Sequence, residues 1–216
     1  LKPTRGRNPA GPDFGEAWSG LSAEHVLTIT VRDSAAILDA SEGPALGDPY
    51  AAPPKRRPFL KEVSSDPGRL RIAVSTTAKS GVPIHDDCLR AVEQATRLCE
   101  ELGHQVVETE PTFDGGELGE AARRIIGASM MAGIVAHSKE TGRDPGVNDI
   151  ERVIRLRSGM GNEITGTQYA LALQAIHRVG RIFGRFMEDF DVIMTPTVAR
   201  PPLELGKLNT DTDDVP

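Results

Sequence analysis

The residues whose chemistry could support catalysis are few in this chain and lie far apart. No G-x-S-x-G nucleophile turn and no C-x-x-C pair is present. A serine hydroxyl becomes a good nucleophile only when a base takes its proton, and no motif here predicts such a pair. The five histidines lack the spacing of metal ligands, and they are His25, His85, His104, His137 and His177. The motifs therefore predict neither a complete catalytic site nor a metal site.

One glycine-rich stretch allows two interpretations. Gly159, Gly161 and Gly166 could surround a phosphate group, but loops of that kind follow a strand, whereas this stretch follows a predicted helix. A joint between two helices, with Thr165 capping the second helix, is the favoured interpretation.

The two cysteines lie on one predicted helix. Cys88 and Cys99 are eleven positions apart, which at about 1.5 Å per residue separates them by roughly 16 Å, too far for a disulfide. They share an apolar stripe with Val92, Ala95 and Leu102. The stripe predicts two core thiols, in agreement with a reducing compartment.

A short apolar strand ends at a Thr-Pro-Thr sequence near the end of the chain. Residues 192–194 are apolar, and Pro196 cannot donate a hydrogen bond to a sheet, so the strand must end there. In α/β proteins, ligands often bind where strands end. Thr195 and Thr197 could therefore line a site, and an ordinary turn that finishes the strand is the alternative.

Hydrophobic periodicity predicts an α/β protein. A strand at 70–76, a helix at 87–102 that Gly103 ends, and a strand at 104–110 form a strand–helix–strand unit. Such a unit is typical of a right-handed crossover between parallel strands. Further helices are predicted at 117–139, 147–157 and 166–190.

The first 69 residues predict less regular structure. Residues 1–30 are rich in Gly and Pro and contain one extended piece at 26–31. Asp33 is expected to cap a short helix that ends near Gly43. Residues 44–69 contain six prolines and several charges, which predicts a poorly ordered surface connection. We expect residues 1–216 to form one α/β segment.

Composition argues against several protein classes. A hydrophobic share of 38% and a charged share of 26% are typical of a globular protein, and a net charge of -6 disfavours wholesale binding of nucleic acid. No run of 18 apolar residues and no signal peptide is present, so a cytoplasmic location is expected. Because the chain begins at Leu1 and ends in a polar stretch, we expect it to be incomplete at both ends.

Three stretches resemble the amidase-signature family and occur in that family's order. "LKPTRGR" at 1–7 is similar to the stretch just downstream of the family's nucleophile, and "HVLTITVRDSAAILDASEG" at 25–43 resembles its strand and short helix. "FDVIMTPTVARPPLELG" at 190–206 resembles a later strand. The stretches 18–28 and 98–115 look closest to the branch that hydrolyses cyclic or linear amides such as aminohexanoate oligomers.

The resemblance implies the α/β/α fold of that family, a large mixed β-sheet flanked by helices. It also implies hydrolysis of a carboxamide to an acid and an amine, without a cofactor, by a Ser–Ser–Lys triad that would precede Leu1. No catalytic residue is therefore expected within this chain. Five residues are expected to line the substrate pocket, namely Trp18, His25, Met130, Thr195 and Thr197. For each of them, a position in the core is the alternative.

Two other functions stay open at this point. The chain could belong to the amide-cleaving subunit of a tRNA-dependent amidotransferase, which would deliver ammonia to a partner. It could also be a non-catalytic α/β binding or scaffold domain that has kept the fold without the triad. The expected partner is a small-molecule amide, neither nucleic acid nor a membrane is expected, and a homodimer is left open.

Overall fold

The computed structural model describes residues 1–146 and 148–208, and the chain divides into two compact units. The first unit is Leu1–Pro67, and the second begins at Gly68. The interpretation of residues 1–216 as one segment stays a prediction.

The first unit contains two α-helices and one 3-10 turn. The turn is Trp18–Gly20, α1 is Val31–Ser41, and α2 is Phe59–Glu62. Thr30 caps α1 instead of the expected Asp33, because the backbone of Thr30 is extended and its hydroxyl accepts a hydrogen bond from the Asp33 amide at 3.0 Å. The helix therefore begins at Val31, and the described residues 26–30 form no strand.

Asp39 anchors part of the proline-rich connection to α1. Its carboxylate accepts hydrogen bonds from the backbone amides of Phe59 and Leu60, both at 2.9 Å, and from Lys55 Nζ at 2.8 Å. The hydrogen bond from Lys55 is the main cause that lowers the pKa of Asp39 to about 2. Residues 44–69 thus contain a short helix and a fixed attachment, and their expected poor order stays a prediction.

Within its described residues, the second unit contains a three-stranded parallel sheet and four helices. The strands are β1 (Arg71–Val74), β2 (Gln105–Glu108) and β3 (Val192–Met194), and the helices are α3 (Asp86–Glu101), α4 (Gly115–Thr141), α5 (Arg152–Gly161) and α6 (Gly166–Phe186). The sheet order is β2-β1-β3, and Ile72 pairs with Val106 on one side and with Val192 on the other. The α/β class and the parallel pairing of β1 with β2 are confirmed.

Capping explains where two of these helices begin. His85 caps α3 through its Nδ1 atom, which accepts a hydrogen bond from the Asp87 amide at 3.1 Å. Thr165 and Gln168 form a reciprocal capping box at the start of α6. The cap by Thr165 is the one that the sequence predicted, although α6 ends at Phe186, four residues before the predicted end.

The glycines near residue 160 belong to α5 and not to a phosphate loop. This helix was predicted at 147–157 but is observed at Arg152–Gly161, and Val147 lies outside the described residues. Gly161 crosses the backbone of α4 at Gly127, so closely that a Cβ on Gly161 would lie 2.8 Å from the Gly127 carbonyl carbon. The absent side chain lets the two helices approach, which spacing in the sequence cannot reveal.

One part of the core of the second unit lies between the sheet and α3. Ile72, Val74 and Val92 form a buried cluster, and Cys99 packs against it. Both cysteines are free thiols and half-buried. The predicted stripe is wrong at its end, because Leu102 follows the last turn of α3 and is 66% exposed.

Candidate functional site

Polar residues follow all three strands at the carboxyl edge of the sheet. Ser75 follows β1, Glu110 follows β2 by two residues, and Thr195 follows β3. The backbone joins these ends, because the Ser75 amide donates to the Met194 carbonyl at 3.0 Å. This edge is where ligands bind in open parallel sheets. We call residues 75–81, which leave β1, the edge loop.

Glu110 gathers three donors from the edge loop. The hydroxyls of Ser75 and Thr77 both donate to its Oε2 atom, and Lys79 Nζ lies 2.7 Å from Oε1. Hydrogen bonding from Lys79, followed by that from the two hydroxyls, lowers the pKa of Glu110 to about 2. The carboxylate is therefore ionised at neutral pH and binds one side of the loop.

The cluster around Glu110 is unsuited to nucleophilic catalysis, although it holds a serine, a lysine and a carboxylate. A carboxylate with a pKa of about 2 is a weak base for a serine hydroxyl. Ser75 is only 8% exposed, and the Lys79 ammonium already forms an ion pair with Glu110. The arrangement can order the edge loop but provides no group suited to take a proton from Ser75.

A second serine lies beside a group that could act as a base. The Ser34 hydroxyl, in the first turn of α1, is 2.9 Å from Nε2 of His25. Ser34 is 7% exposed, so a substrate could not reach it in this structure. The Nδ1 atom of His25 is buried and has no hydrogen-bond partner in the described part of the chain, so no third group orients the ring as in a triad. The pair is a structural hydrogen bond.

The five predicted pocket residues occur in both units. In the first unit, Trp18 begins the 3-10 turn with a left-handed φ of 49° and is 45% exposed, and His25 bonds to Ser34. In the second unit, Thr195 and Thr197 are exposed and line one groove of about 310 Å³ beside α3, whereas Met130 lines another of about 480 Å³ beside α5. Substrate binding by all five stays a prediction.

Sequence analysis did not identify the cluster around Glu110. Ser75 and Glu110 lie near the carboxyl ends of the two predicted strands, 70–76 and 104–110, and each follows an observed strand within two residues. Because such strands end at the same edge of a sheet, this position was the signal that could have drawn attention to them.

Metal ligands and membrane spans were sought in the same part of the molecule. Across residues 1–146 and 148–208, no three His, Cys, Asp or Glu side chains lie close enough together to hold a metal ion. None of the helices in those ranges is long and apolar enough to cross a bilayer.

Comparison with known proteins gives matches over nearly the whole chain. A family model described as Amidase matches residues 1–215. The 6-aminohexanoate-cyclic-dimer hydrolases of Paenarthrobacter ureafaciens and of Pseudomonas sp. (strain NK87) are each 28% identical to the chain over 213 residues, which are 96% of this chain and 43% of either enzyme. The chain therefore spans less than half the length of these curated relatives.

Solved structures show the same likeness. The structure of 6-aminohexanoate cyclic dimer hydrolase superposes with a TM-score of 0.86 and 26% identity, over 98% of this chain and 45% of its own. A bacterial aryl acylamidase of the amidase signature family superposes with a TM-score of 0.80 over 94% of this chain and 42% of its own. Its identity of 21% shows a likeness of fold alone.

Proposed function

The chain belongs to the amidase family, and we propose that it forms part of an amidase that hydrolyses a carboxamide to an acid and an amine. The family match over residues 1–215 is the observation that carries this proposal. The superposition on 6-aminohexanoate cyclic dimer hydrolase over 98% of the chain supports it.

We further propose a Ser–Ser–Lys mechanism whose three residues precede Leu1. In that mechanism the lysine takes a proton through the middle serine, and the second serine attacks the amide carbonyl. The amine leaves with a proton, and water then hydrolyses the acyl ester. The surroundings of Ser34 and Ser75 support this placement, because one hydroxyl is buried and the other faces a weakly basic carboxylate.

The groove beside α3 supports a pocket-lining role for Thr195 and Thr197. Its volume of about 310 Å³ is at the lower end of the range of about 300–1,000 Å³ for small-molecule sites. Two exposed hydroxyls on an otherwise mostly apolar wall could bind a polar amide group while the wall contacts methylene carbons. We propose that Trp18, His25 and Met130 also take part in substrate binding.

The proposed substrate is a linear or cyclic aliphatic amide of the aminohexanoate kind. The names of the two relatives that are 28% identical to the chain support this choice. A cytoplasmic location belongs to the same proposal, and a homodimer is a compatible assembly.

An exposed apolar stretch in the first unit supports the view that the chain acts within a larger amidase domain. Leu27 and Ile29 are fully exposed in the stretch before α1, and they alternate with Thr28 and Thr30. Extended stretches with alternating apolar side chains usually pack against a further strand. We propose that another part of the amidase domain covers these side chains.

The test is amide hydrolysis by two samples, the 216-residue chain and the natural-length polypeptide that contains it. Both are incubated with 6-aminohexanoate cyclic dimer, with a panel of aryl and alkyl amides, and with a serine-directed phosphonate. Because loss of a complete triad lowers turnover on the order of a millionfold, we expect no detectable turnover and no labelled serine from the 216-residue chain. The natural-length polypeptide should turn over an amide and carry one labelled serine.

Three results would contradict parts of this proposal. Phosphonate on Ser34 or Ser75 would place the nucleophile inside the chain. Glutamine-dependent amidation of an aminoacyl-tRNA would favour the amidotransferase alternative. A natural-length polypeptide that neither turns over an amide nor reacts with the phosphonate would favour the scaffold alternative.

A further inference from the structure

We propose that Glu110 is a positioning residue for the groove that Thr195 and Thr197 line. It would act through the edge loop and the backbone at the end of β3. That the groove receives substrate rests on the proposed function, whereas the positioning of the groove by Glu110 does not.

The edge loop is held on two sides. On one side, Glu110 accepts hydrogen bonds from three of its side chains, those of Ser75, Thr77 and Lys79. On the other side, the loop backbone rests on the first residue of α4, where a Cβ on Gly115 would lie 2.6 Å from the Lys79 carbonyl carbon. The edge loop is thus held between the Glu110 carboxylate and the first residue of α4.

Aromatic contacts connect Lys79 of the edge loop to helix α6. Lys79 Nζ lies 5.6 Å from the centroid of the Phe113 ring, which suits a cation–π contact. The Phe113 ring in turn packs against Phe183 of α6, with the ring centroids 5.5 Å apart. Lys79 is therefore fixed from two directions, and its ion pair with Glu110 joins the layer of α4 and α6 to the sheet edge.

The stretch from Ser75 to His85 holds the groove segment, residues 194–199, at both ends. The Ser75 amide donates to the Met194 carbonyl at 3.0 Å, and the His85 amide donates to the Ala199 carbonyl at 2.8 Å. Thr195 and Thr197 lie between these two bonds. A displacement of the edge loop would therefore move the groove wall.

The substitution Glu110→Gln removes the charge of the side chain and nearly keeps its volume. A carboxylate offers two acceptor oxygens, whereas an amide offers one oxygen and an NH2 group that can only donate. One of the two carboxylate oxygens binds the hydroxyls of Ser75 and Thr77, and the other binds Lys79. A glutamine of nearly the same volume must therefore leave either the hydroxyl pair or the ammonium without its acceptor.

The accessibility of Cys88 reports on the groove directly, because Cys88 lines the same groove as Thr195 and Thr197 and is half-buried. Its labelling rate with a thiol reagent, measured by mass spectrometry of the Cys88 peptide, requires no amidase activity. Amide hydrogen exchange over 75–81 and 194–199 provides the second readout. A failure of the proposed function would leave both measurements interpretable.

The experiment compares Glu110→Gln with Glu120→Gln in the natural-length polypeptide that contains the chain. Glu120 is a matched control, because it also receives two side-chain donors, but from Arg123 and Arg124 of its own helix and not from the edge loop. Hydrogen bonds to charged groups are strong enough that losing one should speed local opening about tenfold. We expect that increase in Cys88 labelling and in exchange at 194–199 for Glu110→Gln, and wild-type rates for Glu120→Gln.

Chemical rescue tests the role of the carboxylate itself. Glu110→Ala leaves the two hydroxyls and the ammonium with an empty position between them, so added formate should restore slow labelling of Cys88 while equal chloride should not. Glu110→Asp, which keeps a carboxylate, should lie closer to the wild type than Glu110→Gln. If Glu110→Gln loses its helical circular dichroism, Thr77→Val, which removes one hydroxyl only, replaces it in the same comparison.

Two outcomes would overturn the proposal. Equal rates for Glu110→Gln and Glu120→Gln would show that the Glu110 carboxylate fixes the groove no more than the Glu120 carboxylate does. Faster exchange confined to 75–81, with Cys88 labelling and exchange at 194–199 unchanged, would show that Glu110 orders its own loop without positioning the groove.

Discussion

Replacing Gly161 by alanine tests the closest helix contact in the second unit. A Cβ at this position would lie 2.8 Å from the Gly127 carbonyl carbon and 3.1 Å from Met131 Cβ. An ordinary contact of a Cβ atom is 3.4 Å or longer, and the Gly127 carbonyl oxygen would lie nearer than the carbon. The helices α5 and α4 must therefore separate locally by more than 3.4 − 2.8 = 0.6 Å. Because helix backbones are stiff, the strain must spread along both helices.

The expected loss of stability follows from two opposing effects. Overpacking of a well-packed contact costs about 1–3 kcal/mol, and alanine in place of glycine within a helix returns up to about 1 kcal/mol. Gly161→Ala should therefore lower the free energy of unfolding by about 1–2 kcal/mol. At about 2–4 °C per kcal/mol for a chain of this length, the melting temperature should fall by several degrees.

Gly159→Ala is the matched control, because Gly159 lies in the same helix and a Cβ there meets nothing within 4 Å. It should raise the free energy of unfolding by up to about 1 kcal/mol. The assay is urea unfolding followed by far-ultraviolet circular dichroism, with the slope of the transition checked for each variant. The reasoning would be refuted if Gly161→Ala were as stable as Gly159→Ala.

Three further predictions concern other elements. Asp39 has a pKa of about 2 instead of 3.8, so its stabilising contribution is present above about pH 4 and is lost as the pH falls towards 2. The urea midpoint followed by Trp18 fluorescence should fall over that range, and should fall less in Asp39→Asn. Thr165→Ala should lower the free energy of unfolding by about 1 kcal/mol, measured by urea unfolding, because α6 loses its cap. Thr167→Ala, two residues further along the chain, should not lower it. Limited proteolysis should cleave first within residues 44–69, and first cleavage inside α6 would contradict that expectation.

The sequence predicted those elements whose signals are local. The helix α3 combines a clear apolar period with a cap at one end and Gly103 at the other, so its limits agree with the prediction within one residue. Thr165 was identified as a cap because capping depends on neighbouring residues alone. The strands were found for the same reason, since short apolar runs between turn residues need no knowledge of their partners.

Features that depend on distant residues were not predictable in the same way. The close helix approach at Gly161 could be recognised only by knowing that Gly127 faces it. Glu110 looked like one of many charges after a strand, because the partners that define it lie 31 to 35 positions earlier in the chain. The family resemblance supplied the class of protein, but it carried no information about this cluster.

The titratable groups at the candidate site define what this part of the chain can contribute to an amidase. A serine hydroxyl attacks an amide near neutral pH only if a base accepts its proton. Glu110 is held at a pKa of about 2 by Lys79 and the two hydroxyls, so it does not titrate where such a base must work. The same lowered pKa has a positive consequence, because folding is stabilised by the ionised form above the ordinary pKa of a glutamate and loses that contribution only as the pH falls towards 2. The edge loop should therefore keep its conformation throughout the neutral and mildly acidic range, and the groove wall beyond it should present Thr195 and Thr197 in one arrangement.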